Sequence, residues 1–215
     1  MTMIDLFLKG TWETIVMTFV SGFFGFVLGL PLGVWMFITR EGQIKENRIF
    51  NNILSAVVNI FRAIPFIILI VWMIPFTRMI AGTSIGVGAA LVPLSVGAAP
   101  FIARMVENSL LEVPAGLIEA SRAMGATPFQ IVRKVLIPEA LPSLVNCATI
   151  TLITLTGYSA MGGAVGAGGL GQIGYQYGYV GYDLITMNIV LTLLVLLVFI
   201  IQFTGNYISK KADHR

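Results

Sequence analysis

The sequence predicts an all-α integral membrane protein with five transmembrane helices, and two observations predict it. The first is composition: 57% of the 215 residues are hydrophobic, only 11% are charged, and the mean hydropathy is +0.90. A water-soluble domain carries about 25% charged residues, so this chain cannot cover itself with a hydrated surface. The second is spacing. The stretches 14–39, 49–76, 79–103, 140–182 and 184–209 contain no charge except Arg62. Each meets the roughly 20 apolar residues that a spanning helix needs.

The first stretch is too long for the apolar core of a secretory signal, and no small-residue cleavage pattern follows it before Arg40, so it reads as a retained helix. Gly25, Gly29 and Gly33 recur every fourth residue and share one face, where missing side chains let another helix approach closely. Pro31 predicts a kink there. In the second stretch Arg62 is the one charge deep within a span, at a cost of about 2.5 to 3.5 kcal/mol on insertion scales. Pro65 frees the carbonyl of Phe61 from its helical bond. Arg62 then satisfies exposed carbonyls at a kink, contacts a neighbouring subunit, or meets a ligand carboxylate; its chemistry leaves these readings open.

The fourth stretch carries Asn146, Thr149, Thr151, Thr154, Thr156 and Ser159, which either line a solute pathway or bond helix to helix. Thr149 and Thr156 share one face, and Thr151 and Thr154 another. The glycine-rich run 162–174 is too flexible for one straight helix and predicts an outer loop or a re-entrant turn. Cys147 is the single cysteine and His214 the single histidine, so no intrachain disulfide forms and no His/Cys metal cluster is available.

Basic residues fix the orientation. Arg40, Lys45 and Arg48 follow the first stretch, Arg104, Arg122, Arg133 and Lys134 lie between the third and fourth, and Lys210, Lys211 and Arg215 end the chain. Lys and Arg are held on the cytoplasmic side, which places the N-terminus outside and the C-terminus inside. Spread over three segments without interleaved aromatics, these charges make no nucleic-acid site.

Between the third and fourth stretches, punctuation divides the cytoplasmic segment 113–142 into two short helices. Pro114 suits the start of the first and Gly125 the left-handed residue beyond its end. Thr127, Pro128 and Gln130 have the spacing of a capping box opening the second, and Pro138 and Pro142 limit its continuation. Glu119 and Arg122 stand three apart and can pair. Leu117, Ile118, Ala120 and Met124 leave an apolar strip that must lie against lipid, the bundle or a partner's groove.

The energy source is bounded by what is missing. None of Lys9, Lys45, Lys134, Lys210 and Lys211 follows a glycine, which rules out the Gly-Lys-Ser/Thr phosphate-binding loop. The charge-free stretches hold no carboxylate or histidine, the usual equipment of an ion-coupled carrier. The expectation is a passive conduit moved by a separate ATPase. A gradient-driven secondary carrier and a structural subunit without transport are the rival classes.

The run Glu119, Ala120, Ser121, then Gly125, then Val135, Ile137 and Pro138 resembles the coupling-loop motif of bacterial ABC importer permeases, E-A-A, three residues, G, nine residues, I-x-L-P. Its spacing is kept, and Ser121, Val135 and Ile137 are replacements of similar size. The segment 59–77 is similar to the second span of amino-acid importer permeases, and 157–179 resembles the methionine importer permease in particular. The resemblance implies a type I ABC importer permease fold over 12–205, containing a coupling loop at 107–139, and a cytoplasmic tail at 206–215.

It further implies a non-catalytic inner-membrane subunit passing methionine, L- and D-, or another amino acid. Glu119, Ala120, Ser121, Arg122, Gly125 and Pro138 would meet the ATPase. ATP would be bound by that partner, with no cofactor in this chain. Five helices hardly enclose a pathway, so the expected unit is a homodimer with two ATPase subunits, fed by an extracytoplasmic methionine-binding lipoprotein.

Overall fold

Thr2 and Asp5 start the first helix. The Thr2 hydroxyl accepts from the Asp5 N–H and the Asp5 carboxylate accepts from the Thr2 N–H, which satisfies donors the first turn leaves free. From this cap α1 runs unbroken over Met3–Thr39, with Pro31 contained inside it. The computed structural model describes residues 2–213, so His214 and Arg215 lie outside the described residues. A helix of 37 residues is about 55 Å long, well beyond the roughly 30 Å of a bilayer's hydrocarbon. Its first turns, with Asp5, Lys9 and Glu13, extend past the charge-free stretch.

The second stretch is not one straight span. It forms α2 (Arg48–Ala63), α3 (Phe66–Trp72) and α4 (Ile74–Ala81), and α2 and α3 meet at 98°. Pro65 is the cause: it offers no N–H, and its ring pushes the preceding residue out of helical conformation. Ile64 accordingly sits at φ −74° and ψ 122°, an extended geometry. A second break at Met73 precedes Pro75.

The third span, α5, covers Val87–Leu111, eight residues later than the charge-free stretch. Arg104 and the buried Glu107 both belong to this helix, beyond the end of the charge-free stretch. Charge counting misses this because Arg104 and Glu107 neutralise each other at 2.6 Å across one turn.

The cytoplasmic segment holds α6 (Ala115–Ala123) and α7 (Pro128–Ile131), followed by a π-helical turn at Val132–Leu136 and α8 (Ile137–Glu139), which leads into α9 (Leu141–Gly163). Pro138 and Pro142 do not stop this run. The Ile137 N–H reaches five residues back to the Val132 carbonyl, a widened turn just before the residue that lacks a donor. After α9 the chain turns through left-handed Gly166 and Gly168 into α10 (Gly169–Ile173) and a second π-helical stretch, Gly174–Val180. The last helix, α11 (Leu184–Ala212), is capped by Asp183, whose carboxylate accepts from the Ile185 and Thr186 N–H groups and the Thr186 hydroxyl. Among the described residues, four continuous helices are long and apolar enough to cross a membrane, and the bent α2–α3 pair makes the fifth.

Packing centres on α1 and α5. A Cβ added at Gly29 would lie 2.7 Å from Ile102 Cβ, and one at Gly33 2.7 Å from Val106 Cβ, so the bare backbone of α1 is what admits α5. Gly25 faces Ala98 and Ile102 along the same seam. The turn after α9 hangs on α1: Gly169 N–H donates to Glu13 at 2.8 Å and Leu170 N–H to the Thr14 hydroxyl at 2.9 Å. Gly29→Val is expected to destabilise the chain by about 1–3 kcal/mol through overpacking. Gly88→Ala, which meets open space, should leave stability unchanged. Thermal unfolding in detergent checks the pair, and equal midpoints for Gly29→Val and wild type would disprove the seam's role.

Candidate functional site

At the end of α5 the chain passes Val113 and Pro114 into α6, whose Ile118 and Ser121 are buried while Glu119, Ala120 and Arg122 are exposed. The Ser121 hydroxyl donates back to the Leu117 carbonyl at 2.7 Å. Beyond α6, Gly125 takes φ +78°, a conformation glycine adopts at little cost. Gly125 N–H bonds the Arg122 carbonyl at 2.9 Å and Ala126 N–H the Ser121 carbonyl at 3.0 Å, closing the helix end. The next helix opens on the reciprocal Thr127 and Gln130 bonds, at 3.4 and 2.8 Å, with Pro128 in its first turn. The result is two short helices joined by a closed turn, carrying exposed Leu117, Met124 and Phe129. Pro138 is exposed at the start of α8. Glu119 and Arg122 form no ion pair among the described residues, which leaves both side chains free for a partner.

Arg62 stands in the last turn of α2, at the joint with α3. It is exposed and has no hydrogen-bond or ion-pair partner among the described residues. The Phe61 carbonyl accepts from the Ile64 N–H at 3.3 Å, and Arg62 makes no bond to it. Beside Arg62 lies a cavity of about 120 Å³ walled by Phe61, Phe66, Leu69, Phe101 and Tyr158. The rings of Phe66 and Tyr158 are stacked with centroids 4.3 Å apart.

The hydroxyls of α9 face inward. Thr149, Thr151, Thr156 and Ser159 are buried and each donates to a carbonyl of its own helix at 2.8–2.9 Å. Thr154 is half-buried and bonds the Ile150 carbonyl. Thr156 also lies 3.4 Å from the Thr18 hydroxyl on α1, and Thr149 packs on Gly205 of α11. Thr149 and Thr156 thus occupy helix seams.

Sequence reasoning passed over a polar network centred on Arg104. Its guanidinium donates to Glu107 at 2.6 Å and to the Asn59 side-chain oxygen on α2 at 2.9 Å. Asn51, two turns below Asn59, donates to the Met36 carbonyl at 2.6 Å and to the Thr39 hydroxyl at 3.1 Å. The three-residue spacing of Arg104 and Glu107 was the available signal. It identifies one helical face only once the helix is known to continue past Ala103.

Five spans with a broken second one, joined between the third and fourth by a capped helix pair, define a membrane transport component. The chain belongs to the binding-protein-dependent transport system inner membrane components, whose family model matches residues 25–213. It is an inner-membrane, multi-pass transport subunit and not an enzyme. In particular it is 76% identical over 161 residues to the D-methionine transport system permease protein MetI of Salmonella typhimurium, covering 75% of this chain and 74% of that protein. It is 52% identical over 211 residues to the probable D-methionine transport system permease protein MetI of Vibrio cholerae, covering 98% and 94%. The fold matches inward-facing conformations of the MetNI methionine ABC transporter with a TM-score of 0.98, at 71% identity and 100% coverage of both chains.

Thr127→Ala removes one half of the capping box and is expected to weaken the start of α7 by about 1 kcal/mol, a roughly fivefold gain in local opening. Hydrogen exchange at residues 128–131 reads it. Unchanged exchange there would mean that packing, not the cap, holds the segment.

Proposed function

We propose that the chain is the membrane-spanning subunit of an ATP-driven methionine importer, passing methionine in both enantiomers across the inner membrane as a homodimer bound to two ATPase subunits and fed by an extracytoplasmic methionine-binding lipoprotein. The observation that carries the reading is likeness over the whole chain to the MetNI methionine ABC transporter at 71% identity. Within the proposal the N-terminus lies outside and the C-terminus inside, as the distribution of basic residues supports. Residues 12–205 form the transport domain with the coupling loop at 107–139, and 206–215 a cytoplasmic tail. Exposed Glu119, Ala120, Arg122 and Gly125 meet a cleft of the ATPase, with Ser121 and Pro138 shaping the segment. ATP binds only to that partner.

The mechanism follows from rigidity. The pair α6 and α7 is joined at a closed turn, where Gly125 and Ala126 end one helix and Thr127 and Gln130 open the next, so a push on it moves a unit instead of unwinding a loop. That unit continues α5 on one side and runs into α9 on the other, the two helices that hold the aromatic wall beside Arg62 through Phe101 and Tyr158. Opening and closing of the ATPase dimer is thereby converted into displacement of helices that border the pathway. Glu107, buried near the C-terminal end of α5, is paired with Arg104.

In a methionine auxotroph lacking this chain and other methionine importers, growth on limiting methionine should fail, and restoring the chain should rescue it only when the partner ATPase is present. Rescue without the ATPase would refute the energy source. Normal methionine uptake with loss of another amino acid would refute the substrate. Gly125→Pro or Glu119→Lys should leave the permease inserted and abolish uptake, which transport assays on membranes with matched permease content measure; import at the normal rate would refute the docking role.

A further inference from the structure

The polar side chains of α2 are not scattered. Arg48, the adjacent pair Asn51 and Asn52, Ser55, Asn59 and Arg62 follow one another at intervals of three and four. At about 100° per residue they fall within an arc of about 100°. The opposite side presents Ile49, Ile53, Val57 and Ile60, each 46% or more exposed, as a lipid-facing surface requires. A third side packs on the bundle, where Leu54 and Val58 lie against Met36 and Ala103. The stripe's edge is tied down by Asn51 to α1 and by Asn59 to Arg104 of α5. Asn52, Asn59 and Arg62 nevertheless remain exposed and Ser55 half-buried.

Such a stripe cannot face hydrocarbon, where an unpaired Arg alone costs about 2.5 kcal/mol or more. Two coverings remain: water or a second copy of the chain. A two-fold contact sets a surface against itself, and this stripe contains two arginines and no carboxylate, so self-contact would bury Arg62 without a counter-ion. Water fits. We propose that this stripe of α2 is the wall of the aqueous route between the cytoplasmic surface and the α2–α3 joint, and that Arg62 at its inner end receives the carboxylate of the passing amino acid. Guanidinium and carboxylate match in a two-pronged hydrogen-bonded pair. The adjoining rings of Phe61, Phe66, Phe101 and Tyr158 offer the apolar and thioether-compatible surface that a methionine side chain uses. The choice of methionine rests on the proposed function; the wall does not.

The chain is suited to a cysteine test, because its native Cys147 is fully buried in α9 and gives a silent background. Single cysteines at 52, 55 and 59, with controls at 53, 57 and 60, are made in the full chain, assembled with its ATPase in inside-out vesicles. They are treated with a charged, membrane-impermeant methanethiosulfonate, which reacts with hydrated thiolate. Asn52→Cys, Ser55→Cys and Asn59→Cys should react on the order of tenfold faster than Ile53→Cys, Val57→Cys and Ile60→Cys. Methionine should slow reaction at position 59, whereas methioninol, which has no carboxylate, should not. Arg62→Gln should abolish that protection, and Arg62→Lys should restore part of it, with reaction at 52 and 55 unchanged in both.

Unreactive stripe cysteines overturn the wall. If they crosslink between copies on oxidation, the stripe is a subunit interface. Fast labelling that no amino acid slows overturns the Arg62 contact. Protection by a different amino acid, lost in Arg62→Gln, upholds wall and contact and rejects methionine alone.

Discussion

The close approach of α1 and α5 sets the position of everything else. Three glycines on one face of α1 let Ile102 and Val106 of α5 reach its backbone. Polar links fasten α2, α9 and α10 onto this pair. Asn51 and Asn59 hold α2 to each member, Glu13 and Thr14 hold the first turn of α10, and Thr18 meets Thr156 of α9. In lipid there is little hydrophobic force between helices, so close backbone contact and a few hydrogen bonds must supply the association. That explains why small residues crowd the seam, while Phe23 and Phe24 of α1 point outward.

Arg62 of α2 and Arg104 of α5 differ in their surroundings. Arg104 has Glu107 one turn away and Asn59 across the gap, so its charge is neutralised within the bundle. Arg62 has neither, and stands where α2 ends beside an aromatic cavity. A membrane helix retains an uncompensated charge at a cost, and that cost is reduced only by water or by a charged ligand. The contrast between the paired and the unpaired arginine therefore separates a structural tie from a group available to a solute.

Proline acts in this chain according to its neighbours. Pro31, Pro93 and Pro100 lie within continuous helices, and Pro138 follows a widened π turn. Only at Pro65 does the chain bend by 98°. There the bend brings Phe66 onto Tyr158, so stacking and burial offset the lost helical bond. The missing N–H is common to all these sites, and the difference lies in what the displaced chain can pack against.

By itself the sequence determined the class of fold and the number of spans, because hydrophobic length and charge depletion are additive along the chain. It also contained the punctuation of residues 114–130, since a glycine at positive φ and a Thr127–Gln130 cap depend on residues three apart. It did not reveal that α5 extends to Leu111, because the charge of Glu107 is cancelled by its partner only when both lie on one helix. Nor did it say which way the hydroxyls of α9 or the polar side chains of α2 point. Thr149 and Asn59 are both polar residues in apolar segments. One is folded against Gly205 and the other left open beside Arg104, and only contact between helices distant in sequence makes that distinction.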